Sequence, residues 1–301
     1  MTVRDEILVT GATGHVGGSV LAQLAGAGVR VRALARDPDR LARRLAGGLA
    51  DGLGDGAAGS AGVRIVQGDL ADADALARAV DGVAAVFLMW PFPTAEAAPA
   101  VVEVIREHVG RVVLLSSAAV DDRLAEQDNP IGRVHAEVER PIVDSPLEWT
   151  FLRPYAFATN TLQWARQIRA EGVVRWVHGH AAPSMIHERD IAAVAVRALT
   201  EEGHAGRKYE LTGSAPVTQI EQVRTIGEVI GRPLRWEEIP REAAREQLLG
   251  WLGPDYADVV LNGYAWTEAN PGPVTTTVED LTGRPARSFR EWAEDHADDF
   301  R

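Results

Sequence analysis

The sequence predicts an α/β fold, with a doubly wound parallel sheet followed by a smaller mixed α/β C-terminal lobe. Three observations predict it. Short β-branched runs alternate with amphipathic helical stretches through the first half, the pattern of a parallel sheet covered by helices on both faces. The first run opens directly into a glycine-spaced turn and then a helix. From Trp149 onward the character changes, because seven of the eight tryptophans lie there.

In order along the chain, Ile7 to Thr10 reads as the first strand, and Ser19 to Ala25 lies within the first helix. Val29–Ala35, Val63–Gln67, Ala84–Met89 and Val112–Ser116 read as the next strands, with helices at Ala73–Val80 and Ala97–His108. Right-handed crossovers wind such a sheet in both directions. Gly47 to Gly62 is almost wholly Gly, Ala, Asp and Leu; it lacks the bulk to pack and reads as a surface insertion. Trp149–Arg153 is a further strand. Helices follow at Leu162–Ala170, Asp190–Thr200, Gln219–Ile230 and Arg241–Leu252, with strands at Val173–Val177 and Lys208–Thr212, and a helix at Ser288–Asp299 closes the chain.

The chain of 301 residues is 46% hydrophobic and 25% charged, ordinary for a soluble globular enzyme, and carries a net charge of −12. A chain this acidic is poorly suited to gripping phosphate backbones, so nucleic acid is not an expected partner. With no cysteine, disulfides, thiolate metal sites and cysteine nucleophiles are excluded. No apolar run approaches a membrane span or a signal sequence, so a cytoplasmic location is expected.

The turn after the first strand reads Thr10-Gly11-Ala12-Thr13-Gly14-His15-Val16-Gly17-Gly18. Gly11 permits a tight turn, Gly14 lets the backbone approach a pyrophosphate, and Gly17 lets the helix pack close to the sheet. The helix N-terminus offers N–H donors to phosphate, and Thr13, His15 and Val16 line the same turn. At the end of the second strand, Arg36 precedes Asp37. An arginine there pairs with a 2′-phosphate, whereas an acid chelates ribose hydroxyls. The order favours NADP(H) over NAD(H), with Asp37 keeping NAD(H) open. Asp69, in Gly68-Asp69-Leu70, accepts from the adenine amino group or caps the next helix. Leu88, Met89 and Trp90 end the fourth strand and Ser116 the fifth; strand ends border the ligand crevice, here toward the ribose and nicotinamide. Residues 1–153 then form a dinucleotide-binding domain with return elements from the second half, and residues 154–301 a substrate-binding lobe.

In combination, TGATGHVGG at 10–18, RALARDP at 32–38, GDL at 68–70, LLSSAAV at 114–120, HAEVE at 135–139, WTFLRPYAF at 149–157, SMIHERDIAAVAVRAL at 184–199 and KYELTG at 208–213 resemble the NmrA-like branch of the atypical short-chain dehydrogenases. The resemblance implies a Rossmann domain, a small C-terminal lobe and bound NAD(P)(H). Members include quinone reductases, other reductases of small molecules, and redox-sensing regulators without turnover.

The wider superfamily uses Tyr-x-x-x-Lys, in which the tyrosine supplies a proton and the lysine lowers its pKa. This chain has a single lysine, Lys208, with His204 four residues before it. Alignment on HAEVE puts Ile131 at the tyrosine position and His135 at the lysine position. His135 is a candidate to hold the nicotinamide ribose or to act as an acid near neutral pH. Glu137 and Glu139 are expected to support the helix or to pair with Arg133 or Arg140. Tyr155, after Arg153-Pro154, is a candidate donor to a substrate carbonyl or a wall residue. Trp90, Tyr155, Phe157 and Trp164 are expected to line a flat apolar pocket. His178, His180 and His187 lack carboxylates at metal-ligand spacing, so no metal is expected. Asp190 reads as a helix N-cap, and Ser116-Ser117 lacks a nucleophile-elbow setting.

The expected function is NAD(P)H-dependent reduction of a small, largely planar electrophile, such as a quinone, enone or imine, in specialised metabolism. Such acceptors take a solvent-derived proton, so the missing tyrosine is tolerable. The alternatives are a dinucleotide-sensing regulator, or isomerase or cyclase chemistry on the same scaffold.

Overall fold

The computed structural model describes residues 6–46, 62–250 and 252–301. The glycine-rich insertion predicted over 47–62 lies outside them apart from its last residue, and Trp251 lies outside them as well. In chain order the elements are β1 (Glu6–Val9), α1 (His15–Gly26), β2 (Arg30–Ala35), α2 (Pro38–Ala46), β3 (Val63–Gln67), α3 (Ala73–Val80), β4 (Ala85–Met89), α4 (Ala98–His108), β5 (Arg111–Leu115), α5 (Pro130–Val143) and β6 (Glu148–Pro154). There follow β7 (Ala156–Phe157), a 3-10 segment (Ala158–Trp164), α6 (Ala165–Glu171), β8 (Val173–Trp176), β9 (Met185–Ile186), α7 (Glu188–Thr200), β10 (Arg207–Leu211), α8 (Gln219–Ile230) and β11 (Arg235–Glu238). The chain ends with α9 (Arg241–Leu249), α10 (Pro254–Ala269), α11 (Thr277–Thr282), α12 (Phe289–Asp295) and α13 (Ala297–Phe300).

The chain divides into two compact units. The first comprises Met1–Gln127, Gly132–Arg153 and Glu188–Glu210. It is built on a seven-stranded sheet ordered β10-β6-β5-β4-β1-β2-β3. β1 pairs in parallel with both β2 and β4, with Ile7 opposite Val31 and Ala85, and the pairings continue in parallel to β3 and to β6. Buried on both faces, the strands read as near-continuous apolar runs; Leu8, Val9, Val86, Phe87, Leu88, Val112 and Leu114 have almost no exposed surface. The winding direction reverses between β1 and β4, and the C-terminal ends of strands at such a reversal form the ligand crevice. α7 packs on α1, where Gln23 Nε2 donates to the Arg189 carbonyl at 2.9 Å.

The second unit comprises Asp128–Ile131, Pro154–His187 and Leu211–Arg301. It holds two small parallel pairs, β8 with β11 and β7 with β9, and α6 and α8 pack on the first pair. Its core gathers Trp164, Trp176, Trp292, Phe289, Phe300, Leu248 and Leu261. The tryptophan-rich half of the sequence thus supplies a core of large side chains.

Three sequence readings need correction here. The helix read over Leu162–Ala170 is a 3-10 segment followed by α6, which stops at Gly172 in a left-handed conformation, φ +67°. The helix read over Arg241–Leu252 stops at Leu249, and α10 begins with Pro254 in its first turn, where the missing N–H costs nothing. Asp190 is not a cap: α7 starts at Glu188, so Asp190 lies buried in the first turn, where a carboxylate still favours the helix dipole.

Candidate cofactor site

The site begins where β1 ends. The Thr10 hydroxyl donates to the Phe87 carbonyl at 3.1 Å and accepts from the Met89 N–H at 2.8 Å, which locks the end of β1 to the end of β4. The chain then turns through Gly11 at φ +66°; a Cβ there would lie 2.5 Å from the Met89 Cε. The Gly14 N–H closes the turn on the Gly11 carbonyl at 2.9 Å. A Cβ on Gly17 would lie 2.3 Å from the Gly11 oxygen, so only glycine lets α1 approach this closely. A Cβ on Gly14 would meet only the Gly11 oxygen, at 3.3 Å. The protein itself therefore has room at Gly14, on the side where a pyrophosphate would approach.

Gly14 is also the N-cap of α1, with extended backbone and no side chain to bond the first-turn N–H groups, and that turn holds no acid. Uncapped donors plus the positive end of the helix dipole make an anion seat. His15 is exposed beside it, and Val16 faces the core.

A cavity of about 140 Å³ adjoins this turn, and Gly11, Thr13, Arg36, Asp69, Leu70 and Met89 all line it. Sequence reasoning placed these six residues around one ligand, and the fold brings them together. Asp37 is turned elsewhere: its carboxylate accepts from the Arg40 N–H at 2.9 Å and caps α2. Asp69 does not cap α3; it accepts from the Ala71 N–H at 3.0 Å, and Asp72 is the cap, accepting from the Ala75 N–H at 3.0 Å. Sequence reasoning missed Arg44. Its guanidinium donates to the Thr13 carbonyl, which places a second cation on the phosphate loop. The available signal was α2 itself, which carries Arg40, Arg43 and Arg44 against a single acid, Asp39.

At the other end of the crevice, Ser116 is buried and its hydroxyl donates to Glu139 at 2.6 Å, so it supports the wall. Glu139 does not pair with Arg133 or Arg140. It is buried against Arg153, with contacts of 3.0 Å from Nε and 2.6 Å from Nη2. Arg153 also forms a two-armed pair with Asp122 at 2.9 Å, and Lys208 reaches Asp122 at 2.7 Å. The Arg153 hydrogen bonds, with Lys208 beside them, hold the Asp122 carboxyl down to about 2 against the opposing effect of burial. One turn before Glu139 on α5 sits His135. Burial, and then the Arg153 charge, push its imidazole down to about 4, so it is neutral at physiological pH. This corrects the reading of His135 as an acid near neutrality. Its Nδ1 is buried without a hydrogen-bond partner among the described residues, and a buried polar atom left so calls for one.

Two of the four aromatic residues expected to line a pocket are core residues. Trp90 is buried in the core of the first unit, edge-on to Phe92, with its Nε1 donating to the Thr94 carbonyl at 2.9 Å. Leu88 is wholly buried in that core, so its side chain is not available to a ligand. Trp164 is buried in the core of the second unit, edge-on to Trp236. Large apolar side chains were the only signal available, and it serves core and pocket alike. Pro154 is buried at the end of β6, Phe157 is half-buried in β7, and Tyr155 is 40% exposed. Two of the three histidines weighed as metal ligands have carboxylate partners: His178 bonds Glu268 at 2.8 Å and His187 bonds Asp295 at 3.0 Å.

Comparison with known proteins adds to this geometry. A protein family described as NAD(P)H-binding matches residues 11–202. The chain is 43% identical to the (4-alkanoyl-5-oxo-2,5-dihydrofuran-3-yl)methyl phosphate reductase of Streptomyces griseus, over 98% of this chain and 99% of that protein. It is 33% identical to an NAD(P)H azoreductase of Xenophilus azovorans, over 98% and 99% of the two chains. Among solved structures, it resembles the NADPH-dependent quinone oxidoreductase of Escherichia coli complexed with NADPH, with a TM-score of 0.74 at 23% identity, over 96% of this chain and 99% of that one.

Proposed function

The chain belongs to the NAD(P)H-binding family, within the NmrA-like branch of the short-chain reductases, and from that membership we propose that it reduces an activated carbon–carbon double bond in a small furanone-type enone, using NADP(H). The protein is an NAD(P)H-dependent reductase of a small electrophile. The preference for NADP(H), the residues in their roles and the furanone class are the finer reading.

The single observation that carries this reading is the replacement of the usual proton-donating pair by Ile131 and a neutral, half-buried His135. A ketone reductase needs an acid beside the developing alkoxide. An alkene conjugated to two carbonyls does not. Hydride delivered to the carbon β to both carbonyls leaves an enolate spread over the two oxygens, stable enough to take its proton from water. The 43% identical relative acts on a ring of this type, in which the double bond is conjugated to both a lactone and an alkanoyl carbonyl.

The bound nicotinamide supplies the hydride. The chain's own groups bind and orient. Gly11, Gly14 and Gly17 shape the seat for the pyrophosphate, and the open first turn of α1 donates to it. Arg36, with Arg44 beside Thr13, receives the 2′-phosphate, and the Asp37 carboxylate is engaged in capping α2. His135 offers its uncharged ring to a ribose hydroxyl, and Tyr155 offers a donor to a substrate carbonyl. A screen of NADPH consumption against furanones, enones, quinones and azo compounds tests the proposal. Saturable turnover is expected with the doubly activated furanone, and turnover of simple ketones in its place would refute it.

A further inference from the structure

We propose that Arg153 is a positioning residue for His135: through Glu139 its guanidinium ties α5 to the ends of β5 and β6, and so fixes the imidazole that meets the cofactor. The inference rests on the reading of His135 as a ribose contact and assigns the group that makes that contact possible.

Arg153 is the hub of a chain of charge-assisted bonds. Ser116 at the end of β5 donates to Glu139 on α5; Glu139 receives Arg153 from β6; Arg153 clasps Asp122 in the segment after β5; and Asp122 receives Lys208 from β10. The side chains of Arg153 and Glu139 are 5% and 6% exposed. Buried ion pairs of this kind are costly to desolvate and are weak evidence for stability alone, but they can specify a unique arrangement. Here the arrangement specified is that of α5. Glu139 lies four residues beyond His135, on the same side of the helix. A shift of Glu139 therefore moves the imidazole with it. One turn before His135 on the same face of α5, Gly132 lies so close to the Ala119 carbonyl that a Cβ would come within 2.4 Å of it. The helix is thus seated at one point by contact and at the other by the Arg153–Glu139 fork.

The charge pattern agrees with the geometry. Arg153 from β6 is the cation acting on His135, and its charge disfavours protonation of the ring. Glu139, on the same helix, and Asp122, in the segment after β5, direct their carboxylates to Arg153. Lys208, on β10, is bound to Asp122. The ring is therefore held as a neutral hydrogen-bonding group.

The test uses the full chain and three variants, R153K, the double variant E139Q/R153M and H135A. The double variant removes both charges of the buried pair, which such sites tolerate better than the loss of one. Its KM for NADPH should rise at least about tenfold with kcat within about threefold, the signature of lost binding. R153K keeps a cation but loses the planar fork, and it should raise that KM by about threefold or more. In histidine NMR titrations of wild type, His135 should stay neutral until about pH 4, whereas in the double variant it should titrate toward the ordinary value of about 6.5. R153K keeps the positive charge, so a changed His135 titration in that variant reports a displaced ring and not a lost charge. Folded variants with unchanged KM for NADPH and an unchanged His135 titration would overturn the proposal. If H135A itself leaves KM for NADPH unchanged, the His135 reading fails and this inference falls with it. If H135A weakens NADPH binding but the Arg153 variants do not, only the positioning role is refuted.

Discussion

The glycines of the phosphate loop make a paired prediction, because the structure separates a packing glycine from a ligand glycine. In G17A the new Cβ would sit 2.3 Å from the Gly11 oxygen and 2.6 Å from its carbon. Ordinary contact begins near 3.4 Å, so α1 or the turn must retreat by roughly 1 Å, an overpacking strain that typically costs about 1–3 kcal/mol. In a chain of this size each kcal/mol moves the midpoint by roughly 2–4 °C, so Tm should fall by several degrees. In G14A the Cβ meets only one atom, at 3.3 Å, and φ at that position is already −89°. The loss there should stay below about 1 kcal/mol, the cost of placing alanine at an N-cap. A pyrophosphate seated on the first turn nevertheless has to pass that methyl group. Differential scanning fluorimetry and NADPH titration by fluorescence check both effects. The expected result is that G14A melts within about 2 °C of wild type yet binds NADPH at least about tenfold more weakly, while G17A loses stability and binding together. NADPH affinity unchanged in a folded G14A protein would refute the placement of the pyrophosphate on this turn.

Other consequences follow from the same geometry. R36A and R44A should each reduce the NADPH-over-NADH affinity ratio by about tenfold or more, the worth of a hydrogen bond to a charged group; paired titrations check this, and an unchanged ratio would remove both from the 2′-phosphate. Stability should fall with acid in two windows that urea unfolding at stepped pH can separate. His135 is held neutral in the fold down to about 4, so between the ordinary value of 6.5 and 4 the unfolded chain takes up the proton that the native state refuses, and stability declines; H135A should flatten that decline. Asp122, held down to about 2, contributes stability above its ordinary 3.8 that is lost as pH falls toward 2, and D122N should remove that loss. Finally, W164A should cost about 3–5 kcal/mol because the indole is 1% exposed in a core, whereas Y155F should leave Tm unchanged and lower kcat/KM by about tenfold if the phenol is a positioned donor.

The sheet was legible because its central strands are buried on both faces, so Ile7–Thr10, Ala84–Met89 and Val112–Ser116 appear as mostly apolar runs with helical stretches between them. The cofactor turn was legible because backbone conformation and close approach demand glycine at fixed places. What the sequence hid is what depends on distant partners. Glu139 has arginines nearby in sequence, but its partner is Arg153 on a strand, reached only once α5 lies across the sheet. Arg44 looks like a solvated helix residue until α2 brings it to Thr13. α10 was missed because it buries only Ala257 and Leu261 and so has no apolar stripe to read. The roles of Trp90 and Trp164 could not be told apart from those of pocket residues, since burial in a core and contact with a flat ligand call for the same side chain.

Reduction of a doubly activated alkene without a protein-borne acid can be read from isotope transfer and pH dependence. The most direct measurement is turnover of a 4-acyl-furanone by the purified protein with C4-deuterated NADPH in ordinary water, and with NADPH in deuterium oxide. Deuterium from the cofactor should appear at the ring carbon β to both carbonyls, deuterium from the solvent at the carbon between them, and kcat should be flat from pH 6 to 9, to within about twofold, because no protein acid with a pKa in that range is required. Label delivered to a carbonyl carbon, or a rate that falls tenfold per pH unit above neutrality as a protein acid is lost, would contradict it.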